Sequence, residues 1–167
     1  MDKQASANVL FVCMGNICRS PIAEGVFRML VERERLSSRI TIDSAGTHGH
    51  QRGEQPDLRA IHAARQRGYE LSSQRARLFV LDDFRRFDWI VAMDSHNLRF
   101  LKSLRPADHV GHLGLFLDFA PELGLRDIPD PYYGKGEDFE RVLDLVERGA
   151  APLLAAIQAT LAPRSAR

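Results

Sequence analysis

Val9-Leu-Phe-Val-Cys13-Met-Gly-Asn-Ile-Cys-Arg19-Ser20-Pro21 holds the turn around which the rest of the chain is read. Val9 to Val12 form a short continuous apolar run, the pattern of a strand buried in a parallel sheet. From Pro21 to Val31 the period changes, and Ile22, Ala23, Val26, Phe27, Leu30 and Val31 share one helical face. Ser20 is expected to cap that helix, with Pro21 at its first position. Between strand and helix lies a C-x5-R pattern running from Cys13 to Arg19. A strand-to-helix turn aims successive backbone amides at one point and forms a nest for an oxyanion. Gly15 permits close approach, and Asn16 tolerates a left-handed backbone. The spacing alone says little. The 23 basic residues are nearly all arginine, so either cysteine has roughly a one-in-eight chance of an arginine six places later on composition.

Outward from this turn, strands and helices alternate. Arg39 to Asp43 alternates Ile40 and Ile42 and reads as a second strand, followed by a polar, Gly- and His-rich loop over Ser44 to Gln55. Pro56 to Arg67 carries Leu58, Ile61 and Ala64 at helical spacing, with Gly68 where a helix would end. Asp88 to Met93 is a third strand, and Ser95 is expected to cap a helix with Leu98, Leu101 and Leu104, closed by Pro106. A fourth strand is expected near Asp108 to Leu113, and residues 114–137 read mostly as loop. From Asp138 a long amphipathic helix buries Phe139, Val142, Leu143, Val146, Leu153, Leu154 and Ile157, with Gly149 and Pro152 expected to bend or interrupt it. The pattern predicts an α/β fold in one domain over 1–167, a four-stranded parallel sheet with helices on both faces and the phosphate loop after strand one. Residues 1–6 and 162–167 are expected to be mobile. Ligands of such folds bind beyond the carboxyl ends of the strands.

Composition narrows the class. The 167 residues carry a formal net charge of +1, which argues against a polyanion-binding surface over the whole fold and predicts no nucleic-acid partner. No stretch reaches the length of a membrane span, and the first residues lack the basic and apolar segments of a secretory signal. The two cysteines, Cys13 and Cys18, lie too close to staple distant parts of the fold, and reduced thiols point to a cytoplasmic setting. Secretion without a signal peptide is the alternative.

Chemistry concentrates in two segments. In the Cys13 loop, a helix N-terminus, amide donors and Arg19 all favour a charged sulfur. The Ser20 hydroxyl can donate to that sulfur, and the Arg19 fork matches two phosphoryl oxygens. A buried, inert cysteine at a strand end is the competing reading of the same position. Ile128-Pro129-Asp130-Pro131-Tyr132-Tyr133-Gly134 supplies a carboxylic acid, held extended by Pro131 and followed by two tyrosines that suit a flat aromatic substrate. Such an acid is what an aryl or alkyl oxygen needs when it leaves phosphorus. An Asp-Pro turn beside packing tyrosines accounts for the same residues without chemistry.

Together these segments resemble the low-molecular-weight protein tyrosine phosphatases. The resemblance spans nearly the whole chain through Val9 to Pro21, Asp43-Ser-Ala-Gly-Thr47, Ala92-Met-Asp94 and Asp130 to Phe139. It implies a four-stranded parallel sheet flanked by helices and a two-step reaction with no cofactor and no metal. Cys13 is then the nucleophile, Arg19 and the loop of Met14, Gly15, Asn16, Ile17 and Cys18 hold the phosphoryl oxygens, and Asp130 is the acid. The resemblance also implies that Asn16 and Ser44 brace the loop and that Ser20 assists the sulfur. Tyr132 and Tyr133 match the cleft that takes the substrate; His50 falls at a cleft-lining position too, although a solvated loop residue is the preferred reading of it. Cys18 matches a second loop cysteine able to capture an oxidised nucleophile as a reversible disulfide. The implied partner is a phosphotyrosine-containing protein, a bacterial tyrosine kinase being one such partner.

Two departures from the family pattern stand out. Gln74 takes the place where a histidine often supports the loop asparagine, and His50 the place of a common aromatic. Three rival activities share the scaffold. A thiol-dependent arsenate reductase needs cysteines beyond Cys18, and the chain has none. A phosphoarginine phosphatase resembles the chain but carries threonine where Ile17 stands, and an apolar Ile17 disfavours a guanidinium. A phosphopeptide-binding module that has lost catalysis would not need Cys13, Arg19 and Asp130 together. His48-x-His50 and His109-x-x-His112 could ligate a metal, yet each lacks partners at zinc-site spacing and reads better as ordinary loop and strand-end histidine.

Overall fold

The computed structural model describes residues 5–161, so the expectation for the chain ends falls on 1–4 and 162–167, outside the described residues, except at Ala5 and Ser6. Strand β1 (Ala7–Cys13) is buried along almost its whole length, as its unbroken apolar run requires. Val9 and Phe11 face one side of the sheet and Leu10 and Val12 the other, so β1 belongs to both cores. It pairs in parallel with β2 (Ile40–Gly46) on one side and β3 (Trp89–Ala92) on the other, and β4 (His112–Leu115) pairs with β3. The order is therefore β2-β1-β3-β4.

Helices cover both faces. The larger core joins α1 (Arg19–Arg33), α2 (Leu58–Gln66) and α5 (Gly136–Leu161) to Val9, Phe11 and Val91. The smaller core packs α3 (Asp83–Arg86) and α4 (Ser95–Leu104) against Leu10, Val12, Ile90 and Ala92. The two edges of the central strand are filled from opposite sides of the sequence, which creates a crevice between the ends of β1 and β3.

Several local expectations are corrected. Helix α1 begins at Arg19, with Cys18 as its cap residue, so Ser20 lies inside the first turn. The Ser20 hydroxyl is engaged by Asn16 and Cys13 and is not available to close the helix end. In α4 the side chain that accepts the amide of Asn97 belongs to Asp94, one residue before Ser95. Strand β2 runs on to Gly46 because it follows β1 to its end, Cys13 pairing with Gly46. Strand β4 starts later than expected because a turn from Pro106 to His109 uses the first residues, and pairing with Trp89 begins only at His112. Leu58 leaves the core altogether, with 70% of its surface exposed, while Ile61 and Ala64 are buried as the spacing predicts.

Helix α5 is continuous through Gly149 and Pro152. Pro152 sits on the exposed side, where the carbonyl it leaves without a partner can meet water. Gly149 is demanded by packing: a Cβ there would lie 2.4 Å from the Phe116 ring. Alanine at this position would cost about 1–3 kcal/mol through overpacking.

Candidate active site

The turn after β1 stands at the crevice between β1 and β3. Its carbonyls point into the protein: the oxygens of Cys13 and Met14 accept from the amides of Thr47 and His48, each at 2.9 Å, and Ile17 O accepts from Asp57 N at 2.8 Å. The amides of Gly15 to Cys18 have no protein acceptor among the described residues. A loop with its carbonyls committed and its amides free is an anion nest. A Cβ on Gly46 would come within 2.7 Å of Met14 O, so the strand beneath the loop must be glycine there.

Asn16 fixes the loop from inside. It is 2% exposed and adopts a left-handed backbone at φ 58°, as its residue type allows. Its amide nitrogen donates to Ser20 Oγ at 2.8 Å and Ser44 Oγ at 2.9 Å, and its oxygen accepts from Arg77 N at 3.0 Å. Because both hydroxyls accept from Asn16, their own protons are left for other partners. Ser44 gives its proton to Glu24 Oε1 at 2.8 Å, and Ser20 Oγ lies 3.0 Å from Cys13 Sγ. Burial pushes the Glu24 carboxyl above the usual range, against the opposing bonds from Ser44 and Arg28. Gln74 does not reach Asn16. Its amide nitrogen donates to Pro21 O, and its buried oxygen has no partner.

Arg19 closes the loop. Its Nη1 donates to Asp94 Oδ2 at 2.5 Å and Ile128 O at 3.0 Å, while Nη2 stands 3.5 Å from Asp130 Oδ2. Burial opposes the charge, but the Cys13 sulfur, Asp94 and Asp130 outweigh it, and the guanidinium is held more firmly protonated than an ordinary arginine. Cys18, also buried, has its thiol pushed far up by desolvation first and then by Asp57, Cys13 and Asp130. Both cysteines are free thiols.

The resulting cleft of about 290 Å³ is lined by Cys13, Met14, Gly15, Ile17, Cys18 and Arg19 from the loop and by Asp130, Tyr132 and Tyr133 from the segment before α5. His48, His50 and Gln51 form the third wall, the two imidazoles stacked at 6.2 Å. Ser20 and Ser44 lie beneath the loop and not on the cleft. His109 and His112 are remote from it, on a separate cavity at the other end of the strands. The sequence assigns no site role to Arg77 or Gln51, marks Asp94 only as part of a family-matching segment, and reads His48 as a loop histidine. The position of Asp94 directly after a strand next to β1 was the available signal, whereas Arg77 acts through a main-chain amide that any residue carries.

The family model described as low molecular weight phosphotyrosine protein phosphatase matches residues 8–162. The low molecular weight phosphotyrosine protein phosphatase of Homo sapiens is 44% identical over 144 residues, covering 85% of this chain and 90% of its own length. The crystal structure of a protein tyrosine phosphatase from Entamoeba histolytica superposes with a TM-score of 0.89 at 35% identity, over 93% of this chain and 99% of that one. A Drosophila arginine phosphatase superposes with a TM-score of 0.84 at 28% identity, over 90% of this chain and 97% of its own.

Proposed function

Because the chain belongs to the low molecular weight phosphotyrosine protein phosphatase family, we propose that it hydrolyses phosphotyrosine in proteins through a thiophosphoryl-cysteine intermediate. The observation that carries this reading is the Cys13 sulfur, 3.0 Å from the Ser20 hydroxyl, which accepts from Asn16 and has its own proton to give, at the base of uncommitted amides.

The phosphoryl group enters the nest with its equatorial oxygens on the loop amides and the Arg19 fork. The Cys13 thiolate forms a bond to phosphorus as the phosphorus–oxygen bond to the phenol breaks. Asp130, the cleft carboxyl nearest Arg19, gives its proton to the departing oxygen. Water then attacks phosphorus, its proton passing to the Asp130 carboxylate, and the sulfur leaves as thiolate with the Ser20 hydroxyl to receive the charge. Inorganic phosphate departs and the starting state returns.

Ile17, Tyr132, Tyr133 and the stacked imidazoles give the cleft walls suited to a flat aromatic ring. The likeness to an arginine phosphatase supports phosphoarginine as the second reading, but Ile17 lines the cleft and offers a guanidinium no acceptor. A cytoplasmic setting, with tyrosine-phosphorylated proteins such as a tyrosine kinase as substrates, fits a nucleophile that must stay a free thiol.

The test is turnover of an aryl phosphate under reducing conditions, with phosphotyrosine and phosphoarginine peptides in competition. Wild type is expected to turn over the aryl ester and prefer phosphotyrosine, and Cys13→Ser to lose turnover completely. Residual activity in Cys13→Ser would remove Cys13 from its role, and preference for phosphoarginine would reverse the substrate.

A further inference from the structure

Arg59, in the first turn of α2, does not line the cleft, yet its guanidinium is committed on every side. Nε and Nη2 donate to the two oxygens of Asp57 at 3.0 and 2.9 Å. Nη2 also donates to Tyr132 O at 2.9 Å and Nη1 to Gly134 O at 3.3 Å. The guanidinium carbon stands 4.7 Å from the centre of the Phe139 ring, which is fully buried at the start of α5. Asp57, its carboxylate partner, caps α2 and is the residue whose amide bonds to Ile17 O of the phosphate loop. A chain of contacts therefore runs from the phosphate loop through Asp57 and Arg59 to the main chain on the far side of Asp130.

The segment from Ile128 to Gly136 has few other attachments. Ile128 is held by Met93 and Arg19, and Asp130 by Arg19. The remaining bonds are local: Tyr132 N to Asp130 Oδ1, Gly134 N to Pro131 O, and Lys135 N to Asp138. Among the described residues, Arg59 supplies the hydrogen bonds that tie the stretch after Asp130 to another part of the fold. When phosphate occupies the loop, Arg19 Nη2 must face phosphoryl oxygens while Nη1 keeps Ile128 O, and Arg59 is the cation that grips the stretch after Asp130.

We propose that Arg59 is a positioning residue for the acid step, gripping the carbonyls of Tyr132 and Gly134 so that the Asp130 carboxyl is held at the leaving oxygen. The inference rests on Asp130 being the acid. A forked guanidinium serves this better than an ammonium, since its separate nitrogens donate at once to both carbonyls and to the Asp57 carboxylate.

The experiment compares kcat/KM on phenyl phosphate, a poor leaving group, and 2,4-dinitrophenyl phosphate, a good one. Misplacing an acid penalises only the ester that needs the proton, so Arg59→Met is expected to lose about tenfold on phenyl phosphate and less than about twofold on the dinitrophenyl ester. Arg59→Met added to Asp130→Ala is expected to cost nothing further. Arg59→Lys is expected to fall between wild type and Arg59→Met on phenyl phosphate, and it carries the test if the melting curve shows Arg59→Met to be destabilised. Equal loss on both esters, or additivity with Asp130→Ala, overturns the role of Arg59 alone. Should Asp130→Ala itself lose equally on both esters, the assignment of the acid falls and Arg59 with it.

Discussion

Between Cys13 and Ser20 every residue is buried except Met14 and Gly15, and Asn16, Arg19 and Ser20 are each hydrogen-bonded inside the protein. Across the cleft, between Pro129 and Asp138, only Pro131 is buried, and the segment is held by arginine side chains and short local turns. The contrast follows from what the proposed mechanism asks of each. A nucleophile and its anion nest act only when their geometry is preorganised, so the loop is wired into the core. The acid has to admit a substituted phenol and then release it, which a segment of few contacts permits.

The comparison predicts different signatures for damage on the two sides. Apart from loss of the Cys13 sulfur itself, the largest effect is expected from Asn16→Ala, which removes three hydrogen bonds and places alanine at a positive φ. It should lower kcat/KM about 100-fold or more on good and poor leaving groups alike and cost about 2–3 kcal/mol of stability in urea unfolding. A loss confined to poor leaving groups would break the distinction between the regions. Next comes Asp130→Ala, with about a 100-fold loss on phenyl phosphate, a far smaller one on the dinitrophenyl ester, and an unchanged melting temperature. A clear drop in melting temperature would mean that the acid segment is wired into the core after all.

The smallest effect sharpens the comparison from outside both loops. His112 packs between Trp89 and Phe119, its Nε2 buried without a partner, and burial holds its imidazole below the usual range. His109 is shifted in the same direction, again by burial first. A histidine depressed in the folded state contributes stability that is present above its unfolded pKa and is lost as pH falls through the folded one. Melting temperature should therefore decline below about pH 6.5, the ordinary imidazole value. His112→Phe should flatten part of that decline while leaving kcat/KM at neutral pH unchanged. An altered kcat/KM would show that this end of the sheet is coupled to the cleft.

What the sequence disclosed was uneven for a physical reason. The run Val9 to Val12 announced a doubly buried strand, and the spacing of Phe139, Val142, Leu143 and Val146 announced the inner face of α5; all are buried. These are local periodicities, written wherever one element meets a core. A hydroxyl before a helical run is the usual cap signal, but Asp94 takes the cap at α4, and α1 begins at Arg19, one residue before Ser20, with no side-chain cap at all. Leu58 fits a helical stripe yet faces solvent, since the stripe says nothing of where the core ends.

By itself, then, the sequence determined the alternation of strands and helices, the thiol and arginine on one strand-to-helix turn, and an acid with two tyrosines on a late loop. Local chemistry and a specific family resemblance were enough for that. Only the tertiary structure decided which groups meet. Arg19 finds Asp94 across 75 positions and Ile128 across 109, because β3 lies beside β1 in the sheet. Arg59 finds Tyr132 across 73, because α2 packs against α5. Such pairings depend on strand order and helix packing, and neither leaves a periodic mark in the chain.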